Sequence, residues 1–284
     1  MMKHKLAIAI GTLSIALVAT YIVSVSAKSQ DTPVQSTAMQ KSSGKYKLIW
    51  HDEFEGKNGS LPDKSKWGFA NRVQNHWGKW ISNSNKTVFL RNGHLVCRAI
   101  PNTINRADTA LMLTGAVNTK GKFAFKYGRF LVRMRTNLQK GNFPAAWLWP
   151  VDNGNPYRYG EIDVFESFGD NAVAQQTVHS HRSAVLKKRV TKNEFKTKTT
   201  INRWHIYGIE WTPTSLSFLI DGEVVGTYHK DNDAELLKDG QWTFDRPFYI
   251  ILNQSVGDGN WFTPDVTKTY ETEFDWVRVY QLSK

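Results

Sequence analysis

Arg129-Phe130-Leu131-Val132-Arg133-Met134-Arg135 puts Arg129, Leu131, Arg133 and Arg135 on one face of an extended chain and Phe130, Val132 and Met134 on the other. A period of two over seven residues predicts a half-buried strand and is incompatible with an amphipathic helix. Runs of the same kind recur at 47–50, 88–90, 94–99, 123–125, 161–166, 204–211, 215–220, 248–252 and 274–280. Asn92-Gly93 and Asp221-Gly222 fall between such runs. Both central positions of a type I′ turn need φ > 0, so these dipeptides predict tight hairpins. Only 233–237 reads as helical, and no internal repeat appears. Many short strands without long helices predict an all-β antiparallel sandwich or jelly roll.

The chain of 284 residues opens Met1-Met2-Lys3-His4-Lys5, continues apolar to Val25 and reaches Val25-Ser26-Ala27. A basic start, an apolar core and a small-residue exit predict a signal peptide over 1–27, and hence export to the periplasm or the medium. The competing reading is an uncleaved membrane anchor, for which the run is long enough. Residues 28–45, rich in Ser, Thr, Gln and Lys, predict a flexible linker. The catalytic domain is expected over 46–284, as one large β domain. Cys97 is the only cysteine, so no intramolecular disulfide is available and stability must come from the core. Net charge is +12, and much of the excess lies between Arg182 and Arg203. That segment is either a solvated loop or a contact for an anionic substrate. No nucleic-acid-binding motif accompanies the charge.

Tyr159-Gly160-Glu161-Ile162-Asp163-Val164-Phe165-Glu166-Ser167-Phe168 places three carboxylates within six residues of a strand-like stretch. Strict alternation would put Glu161 and Asp163 on one face and Glu166 on the other. One extra residue looped out at Val164 or Phe165 as a β-bulge returns Glu166 to the face of its partners. Packed carboxylates repel, which keeps at least one protonated near neutrality beside one that is ionised. An acid beside a base is the equipment for cleaving a glycosidic bond. A solvent-facing acidic strand or a calcium site is the alternative, which the apolar Ile162, Val164 and Phe165 disfavour.

Tryptophan is abundant, with 11 residues. Trp and Tyr offer flat apolar faces with a polar edge, suited to the C–H faces and hydroxyl rims of sugars. Trp50, Trp67, Trp211 and Trp276 lie in apolar strand contexts and are expected in the core. Trp77, Trp80, Trp147 and Trp261 lie in polar or Gly-rich surroundings and are candidates for sugar stacking.

These features resemble glycoside hydrolase family 16, the laminarinase, agarase and carrageenase group. The matching segments are 48–54, 115–135, 143–147, the acid run, 177–179 and 274–280, in the expected order. The resemblance implies a concanavalin-like β-jelly roll of two curved antiparallel sheets, endo-acting cleavage and retention of configuration. It makes Glu161 the nucleophile, Glu166 the general acid/base and Asp163 the residue that shares a proton with them. It also implies substrate contacts from Trp147 and His179, to which Trp77, Trp80, Asn253 and Trp261 are added as candidates. Glu53, Gly93 and Asp275 are the expected ligands of a structural Ca²⁺ through side-chain or carbonyl oxygens, with no cofactor needed for catalysis. Phe143 stands where laminarinases usually carry Trp, and Trp77-Gly78-Lys79-Trp80-Ile81 replaces their Gly-Asn-x-Glu stretch. A β-glucan such as laminarin and a β-galactan therefore both stay open as substrates, through β-1,3 or β-1,4 linkages. So do sulfated galactans and mucin-type host glycans. The jelly roll is shared with lectins, so a non-catalytic glycan-binding protein is the rival reading, against which the clustered acids weigh. The expected partner is a polysaccharide or oligosaccharide, bound by a monomer that does not stay in a membrane.

Overall fold

The alternation at 129–135 is the middle of a nine-residue strand in a computed structural model that describes residues 46–103, 107–152, 158–190, 192–260 and 262–283. The expected signal peptide and linker, and Trp261, lie outside the described residues. In chain order the strands are β1 (Tyr46–Asp52), β2 (Gly68–Phe69), β3 (Val88–Arg91), β4 (His94–Pro101) and β5 (Met112–Asn118). Then come β6 (Gly128–Thr136), β7 (Asn142–Pro150), β8 (Gly160–Glu166), β9 (Val173–Ser180) and β10 (Glu194–Lys198). The last are β11 (His205–Trp211), β12 (Ser215–Ile220), β13 (Glu223–His229), β14 (Phe248–Val256) and β15 (Tyr270–Leu282). A short α-helix, α1 (Ala234–Lys238), is capped by Asp233, whose side chain accepts from the amides of Glu235 and Leu236. Among the described residues no helix is long and apolar enough to cross a membrane.

The strands pair antiparallel in two sheets. The inner sheet runs β10-β9-β8-β7-β14-β5, with β2 on the edge of β5. The outer sheet runs β4-β15-β6-β11-β12-β13, with β1 on β15 and β3 on β4. β5 joins them: Gly115–Asn118 pair with β14, whereas Met112–Thr114 pair with β4. Gly115 stands where the strand changes sheets, and a Cβ there would lie 2.0 Å from the carbonyl oxygen of Thr87. Only glycine permits that approach.

Phe130, Val132 and Met134 are fully buried between the sheets with Ile162, Val164, Phe165, Ile250 and Leu252. Each such side chain contributes about 1.5–3 kcal/mol by leaving water. On the opposite face of β6, Arg129 pairs with Glu210, Arg133 with Asp275 at 2.6 Å and Arg135 with Glu273 at 3.0 Å. Both predicted hairpins form, with positive φ at Asn92 and Gly93 and at Asp221 and Gly222.

The expected strand at 123–125 reduces to one bridge, Phe125 to Phe248. The carbonyl of Thr119 collects the amides of both Lys122 and Phe123, which curls the chain just before it. β7, β9 and β10, which build the floor of the site, were not legible as strands. β7 is buried on both faces except at Trp149, so it shows no alternation.

Candidate active site

β8 carries the three acids. Against β9, Glu161 lies opposite His179, Asp163 opposite Thr177 and Glu166 opposite Gln175. Three steps on β8 thus match two on β9, which is a one-residue bulge at Val164 and Phe165. Both bulge residues are completely buried, and Phe165 packs on Tyr207 with ring centroids 4.4 Å apart. Against β7, Trp147 lies opposite Asp163 and Ala145 opposite Glu166. All three carboxylates therefore share the cleft face with Trp147, as the parity of the sequence required.

The acids sit in a cleft of about 620 Å³. Tyr159 donates its hydroxyl hydrogen to Glu161 Oε2. His179 Nε2 lies 3.1 Å from Asp163 Oδ2. Burial, then the charge of Asp163, pushes Glu161 up to about 7, while His179 and Tyr159 pull it back. Burial and the charges of Asp163, Glu161 and Glu194 hold Glu166 well above the ordinary glutamate range. Burial alone would lower His179, but the hydrogen bond and charge of Asp163, with Glu161 and Glu194, raise it to about 9. Glu161 and Glu166 are thus both held above the ordinary glutamate range, which keeps a protonated carboxyl available on the cleft face near neutrality. Glu161, Asp163 and His179 offer ligand atoms within 4.8 Å of one another, a spacing that also suits a metal ion. A protonated imidazole has no lone pair to give, so His179 stands beside Asp163 as its ion-pair partner.

An aromatic wall stands beside the acids. Trp147 meets Trp77 edge to face at 4.9 Å and Trp149 at 5.7 Å, and Trp149 meets Tyr159 at 5.5 Å. Trp77, Trp147, Trp149 and Tyr249 all line the cleft. Asn253 is fully buried and acts one step back. It accepts from Trp147 Nε1 at 2.8 Å and donates to Ser255 Oγ, which in turn donates to the carbonyl of Trp77. Trp80, a stacking candidate by its surroundings, lies away from the cleft lining and packs on Ala99, Met112, Val256 and Tyr270. The Trp80 carbonyl accepts from the amide of Thr114, and Ile81 bridges to Thr114, which turns that ring inward against β5. Phe143, in place of the laminarinase Trp, packs with Phe168 at 5.1 Å and Phe262 at 6.0 Å.

Of the expected calcium ligands, the Glu53 and Asp275 side chains are engaged by cationic groups. Glu53 receives Arg278 Nε and an Arg278 terminal nitrogen at 2.9 and 2.8 Å, with His51 beside it. Asp275 is held by Arg133 and by His94 Nε2 at 3.3 Å. Both carboxylates are already neutralised by cations, and Gly93 is the second residue of the β3–β4 turn. The first part of the basic segment lies away from the acids. Arg182 and Lys188 pair with Asp239, and Lys187, Lys188 and Arg189 do not line the cleft.

Several cleft residues escaped the sequence. Tyr159 lies two positions before Glu161, so strand parity alone would have placed it on the same face. Gln175, Thr177 and Glu194 could not be placed without reading β9 and β10.

The description "Glycosyl hydrolases family 16" matches residues 78–278. The chain belongs to this family. It is 30% identical over 242 residues to the keratan-sulfate endo-1,4-β-galactosidase of Sphingobacterium multivorum, covering 84% of this chain and 56% of that one. The chain thus spans little more than half of that relative's length. It is also 30% identical over 254 residues to a β-glucanase of Rhodothermus marinus, covering 83% and 85%. The solved laminarinase of Rhodothermus marinus superposes with a TM-score of 0.71 at 26% identity, covering 84% of this chain and 98% of that one.

Proposed function

We propose that this family 16 member is a retaining endo-β-glycosidase that cleaves internal β-1,3 or β-1,4 linkages of a β-glucan or β-galactan by double displacement. The observation that carries the proposal is the bulge at Val164 and Phe165. It brings Glu161, Asp163 and Glu166 onto one cleft face, where burial and mutual repulsion hold both glutamates above their ordinary range.

In the first step a Glu161 oxygen attacks the anomeric carbon as the glycosidic C–O bond breaks, and Glu166 gives its proton to the departing oxygen. In the second, Glu166 takes a proton from water, whose oxygen attacks the same carbon and frees Glu161. Asp163, paired with a cationic His179, positions the nucleophile and tempers its charge. Tyr159 fixes which Glu161 oxygen stays behind and leaves the other for attack. The tryptophan wall offers faces for the sugar rings. The acids of the cleft floor suit a neutral sugar at the cleavage point better than an anionic one.

The relatives are named as a keratan-sulfate endo-1,4-β-galactosidase and a β-glucanase, which supports the β-glycan class. Export through the segment 1–27 and action as a monomer complete the proposal. Incubation with laminarin, mixed-linkage glucan, agarose, porphyran, carrageenan, keratan sulfate and mucin, with reducing-end assay and product sizing, tests it. Internal scission of at least one β-glycan is expected. Binding without any release of reducing ends would support the lectin reading instead.

A further inference from the structure

Glu194 lies at the start of β10, opposite Thr177 on β9, which lies opposite Asp163 on β8. Asp163, Thr177 and Glu194 thus form one row across the cleft face of the inner sheet, and Glu194 lines the cleft two strands from the acids. In the adjacent row, Gln175 stands beside Glu166. The two rows are tied together: Gln175 Nε2 donates to Glu194 Oε2 at 3.1 Å and to Thr177 Oγ1 at 3.2 Å. On its outer side Glu194 Oε1 meets Lys196 Nζ at 2.7 Å, yet the Glu194 side chain keeps 46% of its exposure.

Both amide hydrogens of Gln175 are therefore spent inside the network, and what it presents to the cleft is its carbonyl oxygen. The Glu194 carboxyl group has about four lone-pair positions, two of which are engaged by Gln175 and Lys196. Toward the cleft, Gln175 and Glu194 offer acceptors. Their complement is a group that donates, a sugar hydroxyl or an acetamido N–H. Position along the strands says which sugar this is. Glu161 is level with His179 and Glu166 is level with Gln175. Glu166 must sit beside the glycosidic oxygen to protonate it, so the sugar at the Gln175 end is the one that departs.

We propose that Glu194, held in place by Gln175, is a specificity-determining residue that accepts hydrogen bonds from the leaving-side sugar of the substrate. The proposal rests on the endo-glycosidase reading above. As a surface ion pair with Lys196 alone, Glu194 would contribute little to the fold.

The test compares kcat/KM on an oligosaccharide that the wild-type enzyme cleaves with kcat/KM on the nitrophenyl glycoside of the same glycone. The second substrate has no leaving-side sugar. For Glu194→Gln and Gln175→Leu, the ratio of oligosaccharide to aryl glycoside kcat/KM is expected to fall about tenfold, the effect of losing one charge-assisted hydrogen bond. A ratio within twofold of wild type in both variants would overturn the proposal. That includes equal losses on both substrates, which would assign Glu194 to the fold or to the field at Glu166. A wild-type enzyme that cleaves no β-linked oligosaccharide or polysaccharide would instead overturn the endo-glycosidase reading itself.

Discussion

Replacing Tyr159 by Phe removes one hydroxyl and nothing else of consequence. The ring keeps its edge-to-face contact with Trp149 at 5.5 Å, while Glu161 loses the donor on Oε2. Burial drives the Tyr159 hydroxyl upward, so it remains protonated and a donor at every pH of interest. A hydrogen bond to a charged group contributes about 1.5–3 kcal/mol, and 1.36 kcal/mol corresponds to one pH unit. Glu161 titrates near 7 because burial and Asp163 outweigh the help of His179 and Tyr159. With that help reduced, the proton is held more tightly. The acidic limb of the kcat/KM profile, which reports ionisation of the nucleophile, is expected to move up by about 1–2 units. The basic limb, set by Glu166, should stay in place, so the bell narrows from one side only. The assay is initial rate against pH on a polysaccharide that the enzyme cleaves, at substrate well below KM. An acidic limb that does not move, or that moves down, would refute the role assigned to this hydroxyl.

Glu161→Gln and Glu166→Gln are each expected to lower kcat by roughly 10²- to 10⁴-fold with little change in glycan affinity, measured by turnover and titration calorimetry. Azide should restore turnover to Glu161→Ala and give a glycosyl azide of inverted configuration. Folding holds a proton on Glu166 well above the usual range, so its contribution to stability is present below about 4.5 and lost as pH rises through the folded value. Glu166→Gln should therefore melt higher than wild type at pH 8, with a gain that shrinks toward pH 4.5 in calorimetric scans. Changing Lys187, Lys188 and Arg189 together to Gln should leave KM within twofold on sulfated and neutral glycans alike. These residues lie outside the cleft lining and Lys188 is engaged with Asp239; a rise confined to the sulfated glycan would refute that.

The acid motif was legible because its parity is wrong for a plain strand. Glu161, Asp163 and Glu166 can meet only through a bulge, and that is how the structure joins them. The hairpins at Asn92-Gly93 and Asp221-Gly222 were legible for an equally local reason, the need for positive φ. The sequence misled where the environment is made by distant strands. Trp77 and Trp80 share one polar neighbourhood, yet pairing with β5 turns Trp80 into the interior while Trp77 meets Trp147 in the cleft. The partners of the Glu53 and Asp275 side chains were not legible because Arg278 lies 225 positions from the one and Arg133 lies 142 from the other. Glu194 was hidden inside a run dominated by Lys and Arg, and only the β9–β10 register shows that it faces the acids.

The double-displacement mechanism with Glu161 as nucleophile is tested most directly by ¹H NMR of the anomeric region in the first minutes of hydrolysis, before mutarotation. The product is expected to appear first as the β-anomer, followed by slow growth of the α-anomer to equilibrium. An α-anomer formed first from a β-linked substrate would mean that water attacks directly, and would contradict the assignment of Glu161.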